Sequence, residues 1–349
     1  MIVGEAWGQE EERTGLPFQG LSGQELNRML HEAGIMRSEC YTTNVVNSRP
    51  PYNDIERWVT VKRKDIQPDM IRWRDRWVKP IVLAGVDRLL REIDLVQPNV
   101  IVAAGATALW ALTGAWGIGK WRGSQLRLQV PVELWPAELI RPGWTPPTTK
   151  VIPILHPALV MRDMAQRHIT VHDLKRAARE RGSADYGSEP QWNFIVRPSL
   201  QTALDTLTML TSLVESGQEE WIDFDLETAA GHISCIGISW SKTEAICIPF
   251  MERGHTHGYW SEEEEAHIVW LIYCLLTHPK VKVRGQNLLY DCQYTYRHWH
   301  FTPRVAQDTM IAHHSVFCGL PKSLDFLASL YCQHYVQWKP DKTTWKVGG

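Results

Sequence analysis

Apolar and polar positions along this chain fall into two regimes separated by one polar stretch. In the first regime, short apolar runs alternate with longer amphipathic segments. Met1 to Ala6, Cys40 to Val46, Val100 to Gly105 and Val151 to Leu155 are too short for helices and predict strands. Between the first two, Ser22 opens a helical pattern with capping-box spacing to Glu25, and Gly34 closes it. Alternation of this kind predicts a parallel sheet covered by helices on both faces. Ligands of such sheets bind at the carboxyl ends of the strands. Gly4-Glu5, Asn44 and His156 all fall at or just beyond such an end. In the second regime three apolar runs follow one another: Trp221 to Phe224, Ile233 to Trp240 and Glu244 to Phe250. A helix capped by Ser261 comes next, with Ile268, Leu271, Ile272 and Leu275 on one face. The polar stretch is charged from Arg176 and then rich in Gly, Ser, Asp and Pro up to Pro190. It reads as a helix running into a linker, and divides the chain into domains 1–181 and 195–349 joined by 182–194.

Acidic residues in the second regime add chemistry to this pattern. Asp225 and Glu227 lie two apart at the end of a strand, so both carboxylates point to one face. Asn287 and Asp291, four apart, form a second such motif. Clustered acids at a strand end repel one another unless a cation lies between them, and hard oxygen ligands suit Mg²⁺ or Mn²⁺.

Composition sets wider bounds. A chain of 349 residues predicts two domains. The net charge of -2 gives no global signature of nucleic-acid binding, so any basic surface is local. None of the 7 cysteines forms a Cys-x-x-Cys pair, and several sit in apolar runs as small core residues of a reducing compartment. No signal peptide and no bilayer-length apolar stretch is present, so no membrane partner is expected. Between Trp58 and Lys79, the residues Lys62, Arg63, Lys64, Arg72, Arg74, Arg76 and Lys79 interleave with Trp73 and Trp77. Such interleaving suits a nucleic-acid backbone and exposed bases. A solvated basic helix with its tryptophans buried accounts for it equally well.

The stretch Gly4-Glu-Ala-Trp-Gly8, continuing through Glu11 to Gly15-Leu-Pro-Phe18, resembles the first motif of the bacterial and archaeal uracil-DNA glycosylases. Thr43-Asn-Val-Val46 with Ser48-Arg-Pro-Pro51, Val100 to Ala108, and Ile154-Leu-His-Pro-Ala158 are similar to the next three landmarks. The resemblance implies a three-layer α/β domain that binds uracil-containing DNA. It implies that Glu5 positions or activates a water, and that Glu11 is a further functional acid. Phe18 would stack on the flipped base, Asn44 would read its polar edge, and His156 would stabilise charge on the uracil O2. Arg49 and the basic residues named above would contact DNA. Trp7 stands where the family has Pro. That family carries an iron–sulfur cluster on four cysteines; here Ser48 stands in one of those positions and no cysteine lies between Cys40 and Cys235, so no cluster is expected.

Phe224-Asp-Leu-Glu-Thr228, Asn287 to Asp291 and Asp308-Thr-Met310 resemble the 3′–5′ exonuclease domain of polymerases related to bacterial polymerase I. Three strands, a helix, a strand and a helix match a ribonuclease-H-like order. By this resemblance Asp225, Glu227 and Asp291 hold two Mg²⁺ or Mn²⁺ ions about 4 Å apart, and Asn287 contacts the 3′ end of single-stranded DNA. The family's third motif, a Tyr and an Asp, lies several tens of residues beyond Asp308 and so past Gly349. The exonuclease domain therefore reads as truncated and is expected to be inactive; robust activity would require another acid, Asp308 or Asp325, to complete the site. The chain therefore reads as the amino-terminal part of a phage-type DNA polymerase, at work in the cytoplasm of an infected bacterium. Two other readings stay open: a glycosylase-like module that binds DNA without cleaving it, and an exonuclease directed at RNA.

Overall fold

The computed structural model describes residues 1–140, 142–186, 191–217, 220–252 and 258–338. The chain divides into two compact units, Met1–Ser188 with Ala328–Gly349, and Glu189–Leu327. In the expected linker, residues 187–190 lie outside the described residues, as do residues 339–349 at the end of the expected second domain.

The strands of the first unit are β1 (Ile2–Ala6), β2 (Thr42–Val46), β3 (Val59–Thr60), β4 (Ile71–Trp73), β5 (Arg76–Val78), β6 (Val100–Ala104), β7 (Leu126–Arg127) and β8 (Lys150–Ile154). Its main sheet has the order β2-β1-β6-β8-β7, parallel except for the short edge strand β7. Both faces are covered. Val3, Ile101, Ala103 and Val151 pack against Val82, Val86, Leu89 and Ile93 of helix Pro80–Val96. Their strand neighbours Ile2, Val102, Ile152 and Ile154 point the other way, onto Leu26, Met29 and Leu174. This two-sided burial explains why these strands are apolar at nearly every position. The strand order reverses between β1 and β6, and this switch point opens a crevice at their carboxyl ends.

Two local expectations need correction. The helix Leu21–Glu32 starts before Ser22, with Gly20 as its N-cap. Glu25 is not part of a capping box there; it is buried and its Oε1 accepts from Arg167 Nε at 2.8 Å. The basic segment 58–79 is not a helix. It forms a three-stranded antiparallel sheet, β3-β5-β4, whose Trp73 packs edge to face on Trp110 of helix Ala106–Thr113 at 4.7 Å.

The second unit contains β9 (Asn193–Val196), β10 (Glu220–Ala229), β11 (His232–Ser239), β12 (Glu244–Pro249), β13 (Val281–Gly285) and β14 (Val305–Asp308). The sheet order is β14-β13-β10-β11-β12-β9, with β10, β11 and β12 antiparallel and β13 and β14 parallel to β10. A helix, Glu262–Thr277, separates β12 from β13, and a second, Leu288–Trp299, separates β13 from β14. This is the ribonuclease-H-like order that the pattern predicts. Ile222, Phe224 and Leu226 of β10 pack with Ile268, Ile272 and Leu275 of the first of these helices. Period-2 alternation therefore turns Asp223, Asp225 and Glu227 to the opposite face. Ser261 caps that helix as expected, in a capping box with Glu264.

Residues 328–338 differ from the expected domain division, because they belong to the first unit. Arg122 and the fully buried Asp173 form a two-pronged ion pair at 2.7 and 2.5 Å. Arg122 also donates to Ser329 Oγ at 2.9 Å, while Arg176 donates to the carbonyls of Ser329 and Cys332. Removing one partner of such a pair leaves the other charge buried and uncompensated. We expect Asp173→Ala to lower the stability of the first unit by about 3–5 kcal/mol, measured by urea unfolding. The exposed Arg13–Glu10 pair provides the contrast, since Glu10→Ala should change stability by less than about 1 kcal/mol.

Candidate functional site

The crevice at the switch point holds a cavity of about 170 Å³ lined by Glu5, Phe18, Asn44 and His156 among others. Glu5 lies one residue before the end of β1, and its Oε1 accepts from the backbone N–H of Thr107 at 2.9 Å. That N–H belongs to the first turn of helix Ala106–Thr113, whose positive end favours a carboxylate. Gly105 makes the approach possible: its φ is 101°, and a Cβ there would lie 2.6 Å from Glu5 Oε1. Gly4 has a matching role, because a Cβ on it would sit 2.2 Å from Asn44 Oδ1 and 2.7 Å from the Phe18 ring.

Asn44 is buried on β2, and its Nδ2 has no hydrogen-bond partner among the described residues. A buried, unpaired amide donor costs about 1–3 kcal/mol, and a ligand carbonyl would satisfy it. The Phe18 ring stacks at 6.5 Å from the His156 ring, their planes 27° apart. His156 caps helix Pro157–Arg162, with its Nδ1 accepting from Ala158 N at 3.2 Å. An accepting Nδ1 places the ring proton on Nε2 of the neutral imidazole. Burial pushes the His156 pKa below its ordinary value of 6.5, and Arg162 adds to this while Glu5 opposes it. At neutral pH the ring is therefore an uncharged donor.

Glu11 has a different place from Glu5. Its two oxygens accept from the backbone N–H groups of Gly8, Gln19 and Gly20 at 3.0, 2.8 and 3.2 Å. Its carboxylate thus closes the loop that carries Phe18. Arg49 pairs with Glu12 at 3.3 Å near the crevice. Of the basic segment, Lys62, Arg63, Lys64 and Arg72 are exposed. Lys62 pairs with Glu56 at 2.9 Å. Arg74 and Arg76 are taken up in packing: Arg74 donates to Gln129 O at 2.6 Å, and Arg76 lies 3.5 Å over the Trp116 ring. Sequence reasoning missed Trp7, Ser22, Asn53, Ile55 and Arg162 as parts of the cavity wall. Arg162, six residues after His156 on the same short helix, was the most accessible of these to a sequence reading.

In the second unit Asp225 and Glu227 share the predicted face of β10, and Asp291 comes to the same strand end from helix Leu288–Trp299. Asp291 is buried, and its Oδ1 accepts from Leu226 N at 2.8 Å. Burial pushes its pKa up to about 6, with Asp225 and Asp308 adding repulsion. Asn287 is exposed and adopts φ 60°, a left-handed conformation that Asn tolerates. Asp308 is committed to backbone: its oxygens accept from Asn287, Leu288, Met310 and Ile311 N–H groups. Among the described residues no three His, Cys, Asp or Glu side chains come together to hold a metal ion. As placed, Asp225, Glu227 and Asp291 do not form the expected cage for Mg²⁺ or Mn²⁺. Asp291 turns one oxygen to the strand backbone, and Glu227 lies beside Cys235.

The first unit is thus a doubly covered parallel α/β domain with a polar, ring-sized pocket at its switch point. Residues 1–178 match the uracil DNA glycosylase superfamily, and the chain belongs to that superfamily. It is 32% identical over 182 residues to the type-4 uracil-DNA glycosylase of Thermotoga maritima, covering 51% of this chain and 74% of that protein. The type-4 enzyme of Archaeoglobus fulgidus is 30% identical over 177 residues, covering 50% and 73%. Among solved structures, the catalytic core of RRP6 from Trypanosoma brucei matches 47% of this chain and 40% of its own at 15% identity and a TM-score of 0.34. Escherichia coli RNase D matches 44% and 36% at 16% identity and a TM-score of 0.30. The chain spans about two fifths of the RRP6 core. No helix among the described residues is long and apolar enough to cross a membrane.

The raised pKa of Asp291 makes a prediction about pH. Between its unfolded value of 3.8 and about 6, the folded protein keeps a proton that the unfolded chain has released. Stability therefore falls as pH rises through that window, by roughly 1.4 kcal/mol for each pH unit crossed. Asp291→Asn keeps the acceptor for Leu226 N–H and removes the charge. In EDTA it should be more stable than the parent at pH 8 and equal to it near pH 4, by urea unfolding. An equal gain at both values would show that charge burial is not the cause.

Proposed function

We infer that the first unit excises uracil from DNA by hydrolysis of the N-glycosidic bond. The observation that carries this reading is the opposition of Glu5 and the neutral His156 donor across one ring-sized cavity. As the bond breaks, positive charge grows on the sugar and negative charge on the departing base. The Glu5 carboxylate, held by Thr107 N–H, stabilises the first and orients the attacking water. The His156 Nε2–H donates to the base oxygen and stabilises the second without needing a proton from solvent. Extrusion of the base costs roughly a few kcal/mol, which the Phe18 face offsets in part. The unpaired Asn44 Nδ2 meets a base carbonyl, giving pyrimidine-edge selection.

For the second unit we propose a nuclease-type role acting on 3′ ends. The strand order and the opposed carboxylates of Asp225 and Asp291 favour it. Joined to a glycosylase-like unit, it fits the amino-terminal part of a phage-type polymerase, and the same acids suit a strand of DNA or RNA. A non-cleaving uracil reader is the rival reading for the first unit.

The test is incubation with a uracil-containing oligonucleotide followed by alkali. The parent protein should yield abasic-site breaks, and Glu5→Gln should lose about a hundredfold or more in rate with DNA affinity unchanged. Intact oligonucleotide at high enzyme concentration would leave only the binding module. Because the working form of His156 is neutral and its pKa lies below 6.5, the cleavage rate should stay level from pH 7 to 8.5 and fall only on acidification. A rate that climbs as pH drops from 7.5 to 6 would require the imidazolium instead.

A further inference from the structure

We propose that Arg37 is a positioning residue for Phe18, holding that ring across the pocket through a strained turn it does not itself enter. The inference rests on the reading of this pocket as a uracil site. Phe18 has φ 56°, a left-handed conformation that costs a bulky residue about 1–3 kcal/mol and persists only where its surroundings fix it. Those surroundings are specific. Arg37 Nη2 donates to Pro17 O at 2.9 Å, and Nη1 reaches Phe18 O at 3.4 Å. Nη1 also donates to Asn27 Oδ1 at 2.8 Å, so the helix Leu21–Glu32 fixes the guanidinium itself.

The same cation lies 5.7 Å from the Phe18 ring centroid. On the other side, Glu11 takes the N–H groups of Gln19 and Gly20, the two residues that follow Phe18. Helix Leu21–Glu32 closes the third side: a Cβ on Gly23 would lie 1.9 Å from Phe18 O. The strained residue is therefore clamped before, after and from behind. Arg37 is absent from the cavity wall, so it acts on the base only through Phe18.

The clamp predicts a particular pattern of kinetics. Arg37→Met should slow cleavage of a uracil-containing oligonucleotide about tenfold or more, as expected for a misplaced wall. Inhibition by free uracil should weaken in parallel, while KM for DNA stays within about twofold. Arg37→Lys, which restores one donor and the charge, should recover part of the loss. In a Phe18→Ala background, Arg37→Met should add less than about twofold, because the two act as one unit. A purely structural Arg37 would lower the melting temperature yet leave uracil inhibition of the folded protein unchanged, and that result overturns the proposal. A full additional loss in the Phe18→Ala background overturns it too. If Arg37→Met does not fold, Asn27→Ala removes the group that orients the guanidinium. It should give a smaller shift of the same kind, and unaltered uracil inhibition there counts against the clamp. A parent protein that neither cleaves nor is inhibited by uracil overturns the functional reading and the clamp together. A responsive parent with an indifferent Arg37→Met overturns the clamp alone.

Discussion

The crevice of the first unit depends on one hydrogen bond, from the amino end of helix Ala106–Thr113 to the Glu5 carboxylate. It joins the two strands between which the sheet order reverses, since Glu5 lies one residue before the end of β1 and Gly105 follows β6. Without it, a carboxylate at a strand end would swing toward solvent. With it, the acid is pinned where the helix dipole favours negative charge. The demands then spread outward. Gly105 must lack a Cβ so that the helix can approach Glu5, and Gly4 must lack one so that Asn44 and Phe18 can close the cavity.

Electrostatics in the two units take opposite courses. In the first, the acid is stabilised by a backbone donor, and the histidine is kept neutral by burial and by a backbone N–H on its Nδ1. Donor and acid then line one cavity without neutralising each other. In the second, Asp291 is buried beside other carboxylates, and the Leu226 N–H offsets only part of that cost. Its charge is a standing cost at this strand end.

What can be read from the sequence follows from the range of the forces involved. Strands buried on both faces announce themselves as apolar runs, so β1, β2, β6 and β8 are legible to within a residue or two. Their ends name Glu5, Asn44 and His156, and those three do meet in one cavity with Phe18. The cap pattern at Ser22 misleads because Glu25 is drawn away by Arg167, a partner 142 residues distant. Nothing local encodes that. The basic segment misleads for a related reason. Its hairpin turns at Arg74-Asp75, with Arg74 at φ 54°, and lacks the Asn-Gly signal such turns usually carry. Arg74 tolerates that conformation because its side chain is anchored on carbonyls 37 and 55 residues away.

Glu11 shows how residue type and role can come apart. An acid in a glycine-rich loop near a pocket invites a chemical role, yet a carboxylate with three backbone donors has little left to offer a substrate. Its oxygens replace the hydrogen bonds that a tight loop cannot make to itself, which frees the chain to place Phe18 in a conformation it would otherwise avoid. Glu11 thus shapes the wall, while Glu5 presents its carboxylate at the cavity. Two acids six residues apart are separated in function by how many backbone N–H groups each one meets.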